Sequence, residues 1–287
     1  MADEVIDGYK LQNCMATGQS SQVWEVVEVS SHRHFAMKLL LPEKVNDAAL
    51  RRSIIHEANV GKQMAHPNVI RIVQVGKNLK NPYYVMEYFP AGSLKLRIMR
   101  KQYDFIKERA HSIFKQSATA LAYITASGWV HRDVKPDNML VNSAGELRII
   151  DFALARRIEK PSFFGKLFRK KAQVAGTRSY MSPEQIMGEP LDGRADIYSF
   201  GAAAYEISTY RPPFRGMTSQ ELLQKHVTEK AVSPQYHNPD ITDEFAKLVL
   251  QCLAKKREDR PQNFHEVLKT LNSIRVYKTE AVKKPEG

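Results

Sequence analysis

The sequence predicts an α+β fold made of a small β-rich amino-terminal lobe and a larger helical lobe. Before about residue 90, short β-branched or aromatic runs are separated by polar breaks, which is typical of mostly antiparallel strands. After about residue 93, apolar residues recur at helical spacing. The 287 residues are enough for one large domain or two modest ones, so two lobes fit the length.

The amino-terminal part is predicted to form strands with one helix among them. β-branched and aromatic runs predict strands at 23–29, 34–41, 69–75 and 83–88. A polar stretch at 47–65 carries apolar Ile54, Ala58 and Met64 along one side, which predicts a helix between the strands in sequence.

The carboxyl-terminal part is predicted to be mainly helical. Apolar residues at 106–124 follow helical spacing, and Gly128 supplies a stop signal. A second helix is predicted after Thr242 as its N-cap, with Cys252 on the apolar face as a small core residue. Two short strands, joined by a turn, are predicted at 139–142 and 147–150.

Composition excludes several classes of protein. Hydrophobic residues make up 43% and charged residues 26%, as in ordinary globular proteins, and no apolar run is long enough to span a membrane. Cys14 and Cys252 lie far apart and offer neither a disulfide framework nor a metal-site spacing. The acidic amino terminus lacks the apolar run of a secretory signal, so we expect a cytoplasmic protein.

The charge balance is basic, with 43 Lys and Arg against 31 Asp and Glu and a formal net charge of +12. Such a surplus suits an acidic partner, a phosphorylated ligand, anionic lipid or nucleic acid. A basic surface that is merely solvated is the alternative explanation.

Three clusters of residues carry recognisable chemistry. They are the loop 131–138 (HRDVKPDN), the segment 151–153 (DFA) after a short strand, and Lys38 in an early strand with Glu57 on the helix that follows. Their order resembles the signature set of protein kinases, over nearly the whole chain. The segment 180–185 (YMSPEQ) most resembles the bacterial members of the eukaryotic-like, Hanks-type branch.

The resemblance implies the bilobal protein-kinase fold. It assigns 1–277 to the kinase domain, with an N-lobe at about 1–86, a hinge at about 87–90 and a C-lobe at about 91–277. The remaining residues, 278–287, are polar and are expected to form a disordered tail.

The resemblance also implies ATP and Mg²⁺ as cofactors, with Mn²⁺ as an alternative metal. Lys38 would hold the α- and β-phosphates, and Glu57 would orient it through an ion pair. Asp151 would bind the Mg²⁺ that bridges the phosphates, and Asn138 would hold a second ion, since both offer the oxygen ligands that magnesium prefers.

Two further catalytic roles follow from the same resemblance. Asp133 would accept the proton of the substrate hydroxyl as catalytic base, and Lys135 would neutralise the γ-phosphate in transfer. A lysine two residues after the aspartate resembles the Ser/Thr branch of the family rather than the tyrosine-specific branch.

The glycine-rich loop that covers ATP phosphates in the family matches only in part. The template falls on 16–23, where Gly18 is present but Ala16 and Ser21 replace two glycines, so we expect ATP binding to survive in a weakened form. The residues that the resemblance places around adenine are Val23, Ala36 and Leu140 on its faces, Glu87 to Phe89 in the hinge, and Met86 as gatekeeper.

The resemblance further implies a supporting frame. Thr177 would hydrogen-bond near the catalytic loop, and Asp196 would accept hydrogen bonds from the backbone of that loop. Arg260 would pair with Glu184 in a buried ion pair. Ser182 stands where the family usually has alanine.

Two departures concern regulation. Ala153 replaces the usual glycine after Phe152, which restricts the backbone there. Gly61, four residues after Glu57, falls where the family places a large apolar residue, so we expect either a gap or a neighbouring side chain filling the space.

Substrate choice is predicted from Ser93, which stands where basophilic members have a glutamate, and from the basic surface. Both favour protein substrates with acidic or neutral residues around the acceptor.

The stretch 156–171 holds seven basic residues against one acid, and 163–176 has no Ser, Thr or Tyr. This composition predicts docking of an acidic protein or anionic lipid, the alternative being a solvated loop; no specific nucleic acid is expected.

Three functions remain open at this point. An active Ser/Thr protein kinase is favoured by Lys38, Asp133, Asn138 and Asp151. A pseudokinase that acts as a scaffold or allosteric partner is favoured by the altered glycine loop, Ala153 and Gly61. A small-molecule kinase is disfavoured because 176–184 resembles a peptide-docking loop.

Overall fold

The computed structural model describes residues 4–76, 82–158 and 176–279. The chain forms two compact units: Met1–Ala91 with Ile150–Ala153, and Gly92–Ile149 with Leu154–Gly287. The first is built mainly from strands and the second mainly from helices, so the predicted α+β class is confirmed. The predicted bounds of the domain, lobes and hinge stay a prediction.

The first unit contains an antiparallel sheet and one α-helix. The strands of its described part are β1 (Val5–Ile6), β2 (Tyr9–Thr17), β3 (Ser21–Glu28), β4 (His34–Leu40), β5 (Ile72–Val75) and β6 (Tyr83–Glu87), in the spatial order β1-β2-β3-β4-β6-β5. The helix α1 (Ala48–Gly61) lies between β4 and β5 in sequence and begins after Asp47, whose carboxylate accepts from two backbone amides.

The two faces of this sheet bury different residues because side chains alternate along each strand. Phe35 and Met37 of β4 join one core cluster with Tyr9 of β2. Leu40 belongs to the other cluster, which includes Ile54 of α1. The second face is therefore the one against which α1 packs.

The predicted strands and helix of this unit are confirmed, with shifted ends. The helix ends at Gly61 rather than at 65, although Met64 is buried beyond its end. Sequence analysis missed β1 and β2. In β2 only Tyr9 and Leu11 are buried and the last five residues are exposed, so the alternating pattern is too short to recognise.

The second unit is mainly helical. The α-helices in its described part are α2 (Leu94–Met99), α3 (Tyr103–Ala126), α4 (Pro183–Met187), α5 (Gly193–Thr209), α6 (Ser219–Thr228), α7 (Asp243–Cys252) and α8 (Phe264–Ser273). Its short strands are β7 (Gly92–Ser93), β8 (Trp129–Val130), β9 (Met139–Val141), β10 (Leu147–Ile149) and β11 (Arg156–Arg157); β7, β9 and β10 form one sheet, and β8 pairs with β11.

The core of the second unit is organised around α5, which is buried from Ala195 to Thr209. Phe114 of α3 stacks on Phe245 of α7 with ring centroids 5.0 Å apart. A Cβ at Gly201 would lie 2.6 Å from the Cβ of Cys252, so glycine permits this approach of α5 and α7. Cys252 is fully buried, as predicted.

The helix ends agree with the predicted signals. Gly128 has a φ of 81° just after α3, and the hydroxyl of Thr242 accepts from the amide of Phe245 at 3.3 Å. Lys278 N–H donates to the Asp240 carbonyl at 2.7 Å, and the bounds of the tail at 278–287 stay a prediction. Residues 280–287 lie outside the described part.

No helix of the described residues has the length and apolar character that crossing a membrane requires.

Candidate active site

Lys38 and Glu57 meet in the first unit, as predicted. The ammonium of Lys38 lies 2.8 Å from both carboxylate oxygens of Glu57, and Glu57 is only 3% exposed. The hydroxyl of Tyr84 donates to the same carboxylate at 2.8 Å. Lys38 and Tyr84 stand opposite each other in the pairing of β4 with β6, so the sheet register brings both to one residue of α1.

Tyr84 is a residue that sequence analysis missed. Its role follows from the pairing of β4 with β6, in which Tyr84 stands opposite Lys38. The sequence alone does not show that these two strands are neighbours. Burial raises the pKa of the Tyr84 hydroxyl well above its ordinary value, and the charge of Glu57 adds to the increase. The hydroxyl therefore stays protonated and remains a donor to Glu57.

Asp151 adds a second carboxylate to this cluster. Burial by itself lowers the pKa of Lys38, but the charges of Glu57 and Asp151 outweigh burial and raise it. Burial raises the pKa of Glu57; Lys38 opposes that increase and Asp151 adds to it. The Lys38 ammonium therefore lies in the field of two carboxylates, and carboxylate oxygens are ligands that a divalent cation prefers.

The backbone around Asp151 is turned sharply. Asp151 has a φ of 70°, and its carboxylate accepts from the amide of Ala153 at 3.2 Å. Ala153 has no positive φ, so the alanine fits this backbone without strain.

Gly61 leaves no gap, contrary to one of the two expectations. A Cβ added there would lie 2.6 Å from Cγ1 of Ile72 and 3.5 Å from the ring of Phe152. A neighbouring side chain therefore fills the space, as the second expectation held. The glycine lets Ile72 pack directly against the backbone of α1.

The glycine-rich loop forms a hairpin between β2 and β3. Ala16 pairs with Val23 across it, and Gly18 N–H donates to the Ser21 carbonyl at 2.9 Å. None of the described residues 16–21 has a positive φ. Ala16 and Ser21 therefore adopt this turn without the backbone strain that would require glycine.

The predicted adenine residues divide between the units. Val23 pairs with Lys38, and Ala36 pairs with Met86, so these residues lie on neighbouring strands of the first unit. Glu87 N–H donates to the Arg71 carbonyl at 2.9 Å and completes the sheet pairing. The two remaining residues are Phe89, which is buried in the first unit, and Leu140, which belongs to β9 of the second.

Asp133, Lys135 and Asn138 converge in the second unit. Lys135 Nζ lies 2.7 Å from the Asp133 carboxylate, and the Asn138 amide nitrogen donates to that carboxylate at 3.0 Å. Thr177 donates to the other carboxylate oxygen from its hydroxyl at 2.9 Å and from its backbone at 3.1 Å. Lys135 also donates to the Thr177 hydroxyl at 2.6 Å.

These contacts determine the charge of Asp133. Burial by itself would raise the pKa of this carboxyl, but Lys135 and the hydrogen bond from Thr177 outweigh burial and hold the pKa below its ordinary value. Asp133 is therefore ionised at neutral pH and can accept a proton. Asn138 donates two hydrogen bonds from its amide nitrogen, one to the carbonyl and one to the carboxylate of Asp133, and its amide oxygen is of the ligand type that magnesium prefers.

The catalytic loop is held by backbone contacts to α5. The buried carboxylate of Asp196 accepts from His131 N–H at 2.7 Å and from Arg132 N–H at 2.9 Å. This agrees with the expectation from the resemblance. Arg132 has a φ of 69°, a backbone conformation that is unfavourable for residues other than glycine. The two hydrogen bonds from consecutive amides to Asp196 stabilise this conformation.

The segment after Thr177 is held by α4 and by a buried ion pair. Arg260 donates to both carboxylate oxygens of Glu184 at 2.7 and 2.9 Å. Ser182 is the N-cap of α4 and forms a reciprocal capping box with Gln185. Gln185 also donates to the Arg132 carbonyl at 3.0 Å. Ser182, which departs from the family pattern, therefore caps α4 together with a residue that also contacts the loop at Arg132.

The basic stretch is described only at its start. Arg156 and Arg157 form β11, which pairs with β8. The rest of this stretch lies outside the described residues, including its other basic residues, Lys160, Lys166, Arg169, Lys170 and Lys171, and its one hydroxyl-bearing residue, Ser162.

Comparison with known proteins agrees with these motifs. The family model described as protein kinase domain matches residues 9–271. A probable serine/threonine-protein kinase of Clostridium acetobutylicum is 31% identical over 267 residues, which cover 93% of this chain and 40% of that protein. The serine/threonine-protein kinase PknB of Mycolicibacterium smegmatis is 32% identical over 284 residues, which cover 98% of this chain and 44% of that protein.

A third relative is a probable serine/threonine-protein kinase of Streptomyces coelicolor, 31% identical over 263 residues, which cover 90% of this chain and 38% of that protein. The chain therefore spans less than half of the length of these curated relatives.

Proposed function

Because the chain belongs to the protein kinase family and carries a Hanks-type kinase domain, we propose that it transfers the γ-phosphate of ATP to serine or threonine hydroxyls of proteins. The observation that carries the proposal is the cluster around Asp133. A carboxylate held ionised beside a lysine and a threonine suits proton transfer from a hydroxyl.

Asp133 accepts the proton of the substrate hydroxyl in the proposed reaction. The hydroxyl oxygen forms a bond to the γ-phosphorus, and the bond to the bridging oxygen of ADP breaks. Lys135, 2.7 Å from Asp133, offers positive charge to the phosphoryl group in transfer. Thr177 orients Asp133 through its two hydrogen bonds.

Lys38 binds the α- and β-phosphates in this proposal, and Glu57 and Tyr84 orient it. Asp151 and Asn138 would hold Mg²⁺, or Mn²⁺ in its place, and the bound metal neutralises phosphate charge. The oxygen atoms that Asp151 and Asn138 offer, of the kind magnesium prefers, support this assignment. The adenine would contact Val23, Ala36, Met86, Glu87, Phe89 and Leu140, beneath the loop that contains Ala16, Gly18 and Ser21.

The proposed substrates are proteins with acidic or neutral residues around the acceptor. Ser93, in place of a glutamate, is the N-cap of α2, where its hydroxyl accepts from the amide of Leu96 at 3.2 Å. A neutral cap at this position offers no carboxylate to a substrate arginine.

An anionic partner is a further part of the proposal, supported by the seven basic residues of 156–171. Neutralising Arg169, Lys170 and Lys171 together should weaken binding to acidic protein or to vesicles with anionic lipid, and the loss should shrink at high salt. Unchanged binding and salt response in the triple variant would remove this part of the proposal.

A cytoplasmic location is proposed from cysteine usage. Cys14 is exposed and Cys252 buried, and both are free thiols, as a reducing compartment favours. Recovery of the protein outside the cytoplasmic fraction of its native cells would contradict this location.

The experiment that tests the proposed function measures transfer from γ-labelled ATP to a library of Ser- and Thr-containing peptides in Mg²⁺. We expect phosphoserine or phosphothreonine with the wild type, and a loss of at least about a hundredfold in Lys38→Ala, because a contact to the phosphates is removed. A chelator should abolish transfer. If the wild type transfers no phosphate under these conditions, the proposed activity is wrong and the scaffold alternative stands in its place. Nothing in the described residues favours that alternative over phosphotransfer.

A further inference from the structure

A buried carboxylate outside the catalytic cluster lies in α5. Glu206 is 3% exposed. The ammonium of Lys95, in α2, lies 2.6 Å from its Oε1 atom, and the hydroxyl of Tyr180 donates to its Oε2 atom. These three residues form a cluster that no predicted role includes, and we call it the Glu206 cluster.

The Glu206 cluster adjoins the segment that orients the catalytic base. Tyr180 lies three residues after Thr177, whose hydroxyl donates to Asp133 at 2.9 Å. Burial and the charge of Glu206 raise the pKa of the Tyr180 hydroxyl, and the charges of Asp137 and Asp133 add to this increase. The cluster is therefore within electrostatic range of the catalytic loop, where the acceptor hydroxyl and its flanking residues would bind.

Lys95 is the solvent-facing member of this cluster. Its side chain is 34% exposed, while that of Glu206 is 3% exposed. When a buried carboxylate loses its cationic partner, the uncompensated charge strongly destabilises the folded protein. Such a carboxylate attracts another cation. If Lys95 were absent, an arginine or lysine of a substrate could take its place beside Glu206.

We propose that Lys95 is a specificity-determining residue, which pairs with Glu206 and so withholds this carboxylate from basic side chains of the substrate. The kinase then selects acceptors with acidic or neutral neighbours. This inference rests on the proposed function, because it concerns the substrate of the same site.

The experiment uses pairs of acceptor peptides that differ only by arginine or alanine at one flanking position, scanned on both sides of the acceptor. The readout is the ratio of kcat/KM for the arginine peptide to that for the alanine peptide. In Lys95→Met, which keeps the apolar stem and removes the charge, we expect this ratio to rise by about tenfold or more at one position, as for a gained buried ion pair.

Two variants complete the comparison. Glu206→Gln leaves Lys95 without its carboxylate, so the ratio should fall below that of the wild type. The double variant Lys95→Met with Glu206→Gln should return the ratio to near the wild-type value. A matched control is Lys107→Met, which removes the lysine of a pair with Asp240 at 2.9 Å and should leave the ratio unchanged.

An unchanged ratio in Lys95→Met overturns the proposal. If that variant does not fold, Glu206→Gln decides, and an unchanged ratio there overturns the proposal as well. If the wild type transfers no phosphate, the proposed function fails, and the same ratios are read from peptide affinities by fluorescence anisotropy. A rise in relative affinity for arginine peptides in Lys95→Met then supports the specificity claim, and equal relative affinities contradict it.

Discussion

At the scale of single residues, the two units hold their carboxylates in opposite ways. In the second unit, Asp133 is surrounded by the donors of Lys135, Thr177 and Asn138, and its pKa lies below the ordinary value. In the first unit, burial raises the pKa of Glu57, even though Lys38 opposes the increase. The first arrangement suits the base of the proposed reaction, and the second suits the proposed contact between the Lys38 ammonium and a phosphate.

Removing the Thr177 hydroxyl should make Asp133 easier to protonate. A carboxylate with a lowered pKa is ionised above that pKa and loses its charge as the pH falls through it. Thr177→Val removes one donor, so the pKa of Asp133 should rise and the acid limb of the kcat/KM profile should move to higher pH.

The measurement is kcat/KM between about pH 3 and pH 7, because the pKa of Asp133 lies below the ordinary aspartate value of about 3.9 and rises towards it in the variant. Thr177→Ser keeps a hydroxyl and serves as the control, with a profile close to that of the wild type. Superimposable profiles for Thr177→Val and the wild type would show that the hydroxyl does not set the ionisation of Asp133.

At the scale of elements, α1 is positioned by close packing at its last residue. Gly61 allows Ile72 of β5 to lie against the backbone of the helix, with the ring of Phe152 beside it. Glu57 is one turn earlier on α1, so a shift at Gly61 would move the carboxylate that holds Lys38. The contact therefore links the packing of α1 to the ion pair.

Gly61→Ala should destabilise the protein, although alanine is the better helix former by about 1 kcal/mol. The new Cβ would lie 2.6 Å from Ile72 Cγ1, which forces a displacement that costs about 1 to 3 kcal/mol. We expect a lower free energy of unfolding and lower phosphotransfer, measured by urea titration and by labelled ATP.

Two further variants separate packing from helix propensity. Asn59→Ala, at an exposed position of α1, should not destabilise the protein. Ile72→Ala combined with Gly61→Ala should recover part of the phosphotransfer lost in Gly61→Ala. The second substitution removes the Ile72 side-chain atoms with which the new Cβ would clash. A Gly61→Ala protein as stable and active as the wild type would contradict the proposed packing constraint.

At the scale of the whole molecule, removing one partner of a buried ion pair should cost more stability than removing one partner of a surface pair of similar length. Arg260 and Glu184 lie 2.7 Å apart with side chains that are 0% and 4% exposed. Arg109 and Glu108 lie 2.8 Å apart, but Glu108 is 68% exposed. Burial, and not distance, distinguishes the two pairs.

Arg260→Leu should lower the free energy of unfolding by about 3 to 5 kcal/mol, because Glu184 is left as an uncompensated buried charge. Glu108→Gln should change it by less than about 1 kcal/mol. Urea titration measures both. Arg260→Leu with Glu184→Leu should recover much of the loss, and equal effects of Arg260→Leu and Glu108→Gln would contradict the assignment to burial.

Much of this arrangement was predictable from sequence. The resemblance to protein kinases, carried by Lys38, Glu57 and the loop 131–138, implied the ion pair of Lys38 with Glu57 and the grouping of functional residues around Asp133. Tyr84 and the Glu206 cluster were not predictable in this way, because they depend on strand register and on how α2 and α5 pack. The filling of space at Gly61 likewise depends on the side-chain position of Ile72, which no local pattern encodes.

The central claim is that Asp133 accepts the proton during phosphotransfer. The most direct test is a single-turnover measurement with wild type and Asp133→Asn, each saturated with Mg²⁺ and γ-labelled ATP and given one acceptor peptide. We predict nearly equal ATP affinities and a transfer rate lower by about a thousandfold in the variant, because asparagine has a similar shape but cannot accept the proton. A variant that transfers phosphate at close to the wild-type rate would contradict the claim.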